Sequence, residues 1–112
     1  MAYVASALLF GGKFTDAASH TVYTTPLQKR TIVKSVLVRN LASAAAHIAV
    51  NFKGAGINDV GSMLIYLAAT GSDGDSKSVD LWNVMVSGTT IQIAWSNASG
   101  GFVAISGAEL EL

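Results

Sequence analysis

The sequence predicts an all-β fold of about eight short strands. Apolar and polar residues alternate in several segments, glycine-rich turns separate those segments, and no segment combines a helical period with helix caps. Short strands at regular spacing with glycine turns are typical of an antiparallel sandwich, a jelly roll or a small barrel. A chain of 112 residues is the length of one domain, so we expect a single β-sandwich domain over residues 1–112.

The clearest strand is 89–95, whose isoleucines and tryptophan share one face. This period of two indicates a strand with one buried face. Residues 47–53 alternate in the same way. The longer segment 31–41 is β-branched and apolar at both odd and even positions, which predicts a central strand covered on both sides.

The remaining strand candidates are less regular. We predict them at 3–10, 20–25, 62–68, 79–86 and 101–106. The alternation of glutamate and leucine in 109–112 predicts a final edge strand. The alanine-rich stretch 41–46 is interpreted as a hairpin connection.

Charge is sparse and balanced, with seven basic and seven acidic residues in a chain that is 51% hydrophobic. A nearly neutral surface with few charges favours association, so we expect permanent protein partners. Residues 1–56 hold six basic residues and one acidic residue, and residues 57–112 hold the reverse. Two arrangements follow from this. The halves form different faces that dock head to tail, or they interleave and neutralise each other within one sandwich.

The composition argues against an enzyme. The chain has no cysteine, which excludes a disulfide framework, a thiolate metal site and a cysteine nucleophile. No strand–Gly-x-Ser-x-Gly–helix segment is present, and neither His20 nor His47 has a carboxylate adjacent in sequence to orient it. We therefore predict no catalytic residue and no cofactor.

Membrane and nucleic-acid partners are also not expected. No apolar run approaches the roughly 18–20 residues that span a bilayer, and no basic residue precedes the apolar stretch 3–10 as in a signal peptide. Arg30 and Lys34 fall on one face of a strand, but residues 24–51 contain no aromatic residue for base stacking. The net charge of zero is also atypical of a nucleic-acid-binding domain.

Asp73 and Asp75 are weak candidates for a calcium site. Calcium prefers several hard oxygen ligands at such spacings. The twelve-residue loop with a terminal glutamate is missing, however, and a solvated hairpin tip explains the same residues.

The dispersed aromatic residues, about one in each predicted strand, indicate core packing, although Trp82 or Trp95 at an interface is an alternative. The chain ends, 1–14 and 107–112, are apolar although terminal segments usually fray. An apolar end gains order when it pairs with the sheet edge of a neighbour. The predicted interface residues are Tyr3, Val4, Leu8, Phe10, Leu110 and Leu112.

Two segments together resemble small virion structural proteins of tailed bacteriophages. The first is Val22–Pro26 followed by the long strand Arg30–Asn40, and the second is Val86–Ile91 followed by a short final strand. The resemblance implies a jelly-roll-like antiparallel β-sandwich that acts in the virion, after assembly in the host cytoplasm. Its expected partners are other copies of itself, as in a homo-oligomer such as a trimer, and the major capsid or tail proteins.

Within that class the leading hypothesis is a capsid decoration or cement protein. The alternatives are a tail, neck or fibre-attachment module, and a β-sandwich that binds carbohydrate or a host surface. The resemblance implies no catalytic residue.

Overall fold

The computed structural model describes residues 7–54, 59–97 and 100–111. These residues form eight β-strands and no helix, which confirms the predicted all-β class. Turns and bends with glycines at positive φ, such as Gly71 and Gly88, connect several of them. The strands are β1 (Ala7–Phe14), β2 (His20–Thr24), β3 (Lys29–Asn40), β4 (Ala46–Lys53), β5 (Asp59–Leu67), β6 (Ser76–Met85), β7 (Thr90–Trp95) and β8 (Gly101–Glu111).

The strands make two four-stranded sheets, and every pairing is antiparallel. The first sheet has the order β1-β8-β3-β6 and the second has the order β2-β7-β4-β5. Every connection between consecutive strands crosses from one sheet to the other, except the β4–β5 connection within the second sheet. This order is that of a jelly roll, so the predicted jelly-roll-like sandwich is confirmed.

The core lies between the two sheets. Alternate residues of β4 and β7 point inward, and Ile48, Val50, Ile91 and Ile93 have no exposed surface. The inward residues of β3 and β8 meet them from the first sheet. Because the inner faces of both sheets pack against each other, the alternation in the sequence of β4 and β7 correctly predicts which of their residues are buried.

Strand β3 is central, as predicted, because it pairs with both β8 and β6. Its second face is not covered, however, since Leu37 and Arg39 are exposed. A β-bulge between Val33 and Ser35 explains the apolar residues at both odd and even positions: it shifts the register so that Val33 and Val36 both point into the core. The prediction of a strand covered on both sides is therefore wrong for the single chain.

Two further expectations are wrong. Residues 41–46 do not close a hairpin, because β3 and β4 lie in different sheets. Residues 109–111 do not form a separate strand, because they continue β8, whose pairing with β3 extends to Glu111 opposite Lys29. Polar residues are tolerated in this part of β8 because it is open to solvent.

The basic and acidic halves of the chain interleave. In both sheets, strands of the first half alternate with strands of the second half, as β1-β8-β3-β6 and β2-β7-β4-β5. Oppositely charged residues are thereby brought together within one molecule. An example is Lys29, whose Nζ lies 3.8 Å from an oxygen of Glu109. Of the two arrangements considered, the structure adopts the neutralising one.

Candidate assembly surface

The outer face of the first sheet is exposed and apolar. The burial of Val36 and Val38 places Leu37 on the opposite side of β3, facing away from the core. The cross-strand partner of Leu37 on β8 is Ala104, and the outward Ile32 lies opposite Val84 of β6. Cross-strand partners share a face, so these side chains form one surface. The exposed large apolar residues on it are Leu8, Leu37, Trp82, Val84 and Phe102.

The exposure of these side chains is unusual in degree. Trp82 is 68% exposed and Leu8 is 65% exposed. Single apolar residues on a surface are ordinary, but several on one face of one sheet are typical of a contact site. Trp82 is also of the residue type most enriched among interface hot spots. The expectation of core packing fails for Phe102 and Tyr66, which are exposed, and for Trp82, whose exposure agrees with the alternative of an interface position.

Cations border the apolar side chains. The Lys34 ammonium lies 5.7 Å from the centre of the Trp82 ring, within the range of a cation–π interaction. At the other end of the face, Phe102 is paired with Arg39 on one side and Lys13 on the other. The outer face of the first sheet therefore combines apolar contact area with positive charge, which suits a partner surface with apolar and acidic groups.

The predicted interface residues are distributed unevenly. Leu8 lies on the outer face of the first sheet, and Leu110 is half-buried opposite Arg30. A bulge between Leu8 and Phe10 turns the Phe10 ring towards the core, where its centre lies 5.7 Å from that of Phe14. Tyr3, Val4 and Leu112 lie outside the described residues. A role for the six in assembly stays a prediction.

The turn with the two candidate calcium ligands is held by its own hydrogen bonds. The Asp75 carboxylate accepts a hydrogen bond from the Gly71 amide at 2.9 Å, and Asp73 is exposed beside it. In the described part of the chain, no three acidic or histidine side chains gather where they could hold a metal ion. Calcium binding at this turn stays a prediction.

His20 has a partner that the sequence did not indicate. Its Nε2 lies 2.7 Å from Oδ1 of Asp16, four residues earlier, and this hydrogen bond is the main reason that the pKa of Asp16 lies below its usual range. The ring of His20 also packs on Phe14, at 5.2 Å between centres. These contacts fasten the exposed β1–β2 loop to the start of β2.

Comparison with known proteins gives a fold and no family. No model of a protein family matches the sequence, and no curated protein matches it. Among the described residues, no helix is long and apolar enough to cross a membrane.

Several solved structures share the fold. A protein of Bacillus endospore appendages, described as a family of disulfide-linked pili, has a TM-score of 0.58 at 15% identity, over 97% of this chain and 88% of that one. The NLP core of Drosophila, described for pentamer formation and histone binding, has a TM-score of 0.57 at 16% identity, over 94% of this chain and all of that one. A protein of infectious bursal disease virus, Gx strain, has a TM-score of 0.51 at 8% identity.

The match to the protein of infectious bursal disease virus covers only part of the viral chain. It covers 96% of this chain and 31% of the viral chain, so this chain spans about a third of that protein's length. At these identities the likeness shows a shared jelly-roll-like sandwich and nothing more specific. The absence of cysteine also separates this chain from disulfide-linked pili.

Proposed function

We propose that this chain is a structural component of a tailed-bacteriophage virion, and specifically a decoration or cement protein that binds the capsid shell and other copies of itself. The observation that carries the proposal is the outer face of the first sheet. It exposes Leu8, Leu37, Trp82, Val84 and Phe102 on a rigid sheet, bordered by Lys34, Arg39 and Lys13. Covering such a face with a partner is favourable because apolar surface is removed from water.

Two further considerations support a role in assembly. A sheet face is rigid, so its contact residues lose little conformational freedom on binding. The structures that share the fold are described from pili, from a core that forms pentamers and binds histones, and from a virus. Together with the resemblance to phage virion proteins, the descriptions of pili, a pentamer and a virus support a role in assembly.

Copy number distinguishes the proposed role from its main alternative. A cement protein occupies many equivalent sites on a shell, so quantitative mass spectrometry of purified particles should find hundreds of copies. A few to some tens of copies would instead identify a tail, neck or fibre-attachment module. Absence of the chain from purified particles would overturn the proposal.

A binding experiment tests the face itself. The purified chain is added to capsid shells that lack it, and the bound fraction is measured by co-sedimentation. We expect Leu37→Ser combined with Trp82→Ser to weaken binding at least tenfold, because both side chains lose apolar contact area. The matched control is Leu64→Ser, at a leucine 54% exposed on the outer face of the second sheet. Equal binding by both variants would contradict the assignment of this face.

A further inference from the structure

The first sheet has β1 at one edge and β6 at the other. Within the described residues, β1 pairs only with β8, and β6 pairs only with β3. An edge strand presents backbone N–H and C=O groups that another strand can pair with, and proteins commonly prevent this with short strands, prolines or charges. Strand β6 has ten residues and no proline, so in the described part of the molecule its outer edge is long and open.

The two most exposed of the large apolar side chains described on the outer face of this sheet lie at its opposite edges. Trp82 on β6 is 68% exposed, and Leu8 on β1 is 65% exposed. Three strand spacings of about 4.8 Å separate β1 from β6, so one molecule does not bring these side chains together. Both would be removed from water if β6 of one copy lay beside β1 of another.

The outward residues of the two edge strands carry opposite charges. Exposed and half-buried residues alternate along β6, and Asp80 is the charged residue of the exposed set, two positions before Trp82. On β1 the charged outward residue is Lys13, which is also exposed. The neighbouring charges on this face are cations: Lys34 lies beside Trp82, and Arg39 lies two strands away from Lys13. An acidic edge therefore has a basic edge as its complement.

Strand direction allows the two edges to join. Neighbouring strands in the order β1-β8-β3-β6 are antiparallel, so β6 runs opposite to β1. When a second copy is placed beside the first in the same orientation, its β1 therefore continues the sheet antiparallel to β6. The edges of the second sheet lie on the same two sides, because β2 contacts β1 and β5 contacts β6.

We propose that β6 of one copy pairs with β1 of a second copy, so that the first sheet continues from copy to copy. One register satisfies both the charged and the apolar side chains: with Asp80 opposite Lys13, Trp82 lies opposite Gly11. Cδ2 of Leu8 is 3.3 Å from where a Cβ of Gly11 would be, so an indole ring that covers the glycine also contacts Leu8. Main-chain hydrogen bonds then supply affinity, and these side chains select the register.

A second copy of β1 suits β6 better than a second copy of β6. The exposed alternate residues of β6 include one charged residue, Asp80, so two β6 strands cannot place opposite charges together on the outer face. Lys77 points to the inner face, opposite Val38. In the proposed register it lies beside the β1–β2 loop of the second copy, which contains Asp16.

The inference rests on the self-association in the proposed function and identifies its contact. Because every copy keeps the same orientation, the outer faces of the first sheets all point the same way. The face assigned to the capsid shell then extends across neighbouring copies. A contact between two different edges continues as a row or closes into a ring, and the twist of the sheet turns each copy relative to the last.

Disulfide trapping tests the pairing directly, because the chain has no cysteine of its own. Asp80→Cys and Lys13→Cys are made in separate chains, mixed and exposed to a mild oxidant. Residues directly opposite each other in an antiparallel pair have Cα atoms about 4.5–5.5 Å apart, which is within the range of a disulfide. We expect a covalent 1:1 heterodimer on non-reducing gels, and a series of longer species from a chain that carries both substitutions.

The matched control uses Leu64→Cys in place of Lys13→Cys, at an exposed leucine on the outer face of the second sheet. The mixture of Asp80→Cys with this control should cross-link severalfold more slowly, and equal rates would overturn the inference. It would also be overturned by an Asp80→Cys chain that forms a homodimer as readily as the mixture forms the heterodimer, because that result shows pairing of two β6 strands.

Charge reversal tests the register without a covalent bond. Asp80→Lys and Lys13→Asp should each weaken self-association severalfold in sedimentation equilibrium, because each places like charges opposite each other. Both substitutions in one chain should restore association, and a double variant as weak as the single variants would overturn the register. Arg30→Asp, on β3, which is not an edge strand, is the control and should associate like the wild-type chain. Thermal unfolding confirms that every variant is folded.

These experiments use the chain without capsid shells, so they report the pairing alone. A chain that binds shells but shows no trapping above the control would overturn the inference and leave the proposed function standing. Trapping in this register by a chain that does not bind shells would overturn only the proposed function.

Discussion

The hydroxyl of Tyr23 donates a hydrogen bond to the carboxylate of Glu109 and so ties the two sheets together. Tyr23 is on β2 of the second sheet, and Glu109 is on β8 of the first. The same hydroxyl lies 2.8 Å from Oγ1 of Thr31 on β3, and Lys29 is near the other oxygen of Glu109. This cluster closes the core at the end of the sandwich where β3 begins and the aliphatic packing gives way to solvent.

Replacing Tyr23 with phenylalanine should destabilise the fold by about 1–2 kcal/mol, because the carboxylate of Glu109 loses a charge-assisted hydrogen bond. Chemical denaturation monitored by tryptophan fluorescence measures the change. Tyr66→Phe, at an exposed ring, is the control and should change stability by less than about 0.5 kcal/mol. Equal stability of the two variants would show that the bond between the sheets contributes nothing.

The same tyrosine predicts a loss of stability at high pH. Burial, reinforced by the hydrogen bond to Glu109, raises the pKa of Tyr23 from 10.0 to about 12. Above pH 10 the unfolded chain releases this proton more readily than the folded chain, so the stabilising contribution is complete below pH 10 and is lost as the pH rises to about 12. Denaturation series between pH 9 and 12 should show a steeper decline for the wild-type chain than for Tyr23→Phe. Parallel curves would contradict the pKa shift.

Among the polar residues that the structure describes, Asn40 should be the most sensitive to substitution. It is fully buried, and its side-chain amide donates to the carbonyls of Ala44 and Ala68, both at 2.9 Å. The side-chain oxygen Oδ1 of Asn40 accepts a hydrogen bond from the backbone amide of Ala42. Asn40→Ala leaves these backbone groups without a partner, so we expect a loss of about 2–4 kcal/mol. Asn51→Ala, on the outer face of the second sheet, should cost less than about 1 kcal/mol in the same assay.

Gly101 cannot be replaced without moving its neighbours. A Cβ built there lies 2.3 Å from the carbonyl oxygen of Arg39 and 2.4 Å from Cη2 of Trp95. Gly101→Ala should therefore lower stability by about 1–3 kcal/mol or more and shift the tryptophan emission. At Gly61 the nearest atom to a new Cβ is 3.9 Å away, on Phe52. Gly61→Ala should be neutral or slightly stabilising, and a comparable loss there would refute the steric explanation.

Self-association should persist at high salt. The interleaved halves do not form two opposed charged faces on the molecule, and an exposed ion pair contributes at most about 1 kcal/mol. Apolar contact is not screened, whereas charge attraction is largely lost at about 1 M salt, where the screening length is about 3 Å. Light scattering coupled to size-exclusion chromatography at low and high salt measures this. Dissociation at high salt would assign assembly to charge.

The sequence was informative where a residue's environment depends on its immediate neighbours. Alternation in β4 and β7 identified inward residues such as Ile48 and Ile91 correctly, because those strands are regular. The pattern misled in β3, where the bulge at Lys34 changes which positions face inward. A bulge is fixed by the pairing with β8, about seventy residues away, and no local pattern reports it.

The candidate surfaces were harder to predict for the same reason. Leu37 and Trp82 are of residue types that usually lie in the core. Their exposure follows from the order of strands in the sheet, which no local sequence pattern indicates. Leu27 stands next to the single proline and carries no periodic signal. The loop that exposes it is joined by hydrogen bonds at Thr25 to another loop about sixty residues away, which no local pattern indicates.

The placement of β8 has a consequence for synthesis of the chain on the ribosome. Strand β8 lies between β1 and β3, so β1 has no neighbour in its sheet until β8 has been synthesised. No autonomous unit can form from the first half alone, because its strands alternate with those of the second half. Folding of this domain should therefore be completed only after β8 has been synthesised and should be slow, in the millisecond-to-second range of folds dominated by distant pairings. Until then the apolar N-terminal strands are exposed to premature contacts, which makes the yield of the protein sensitive to expression rate and chaperone supply.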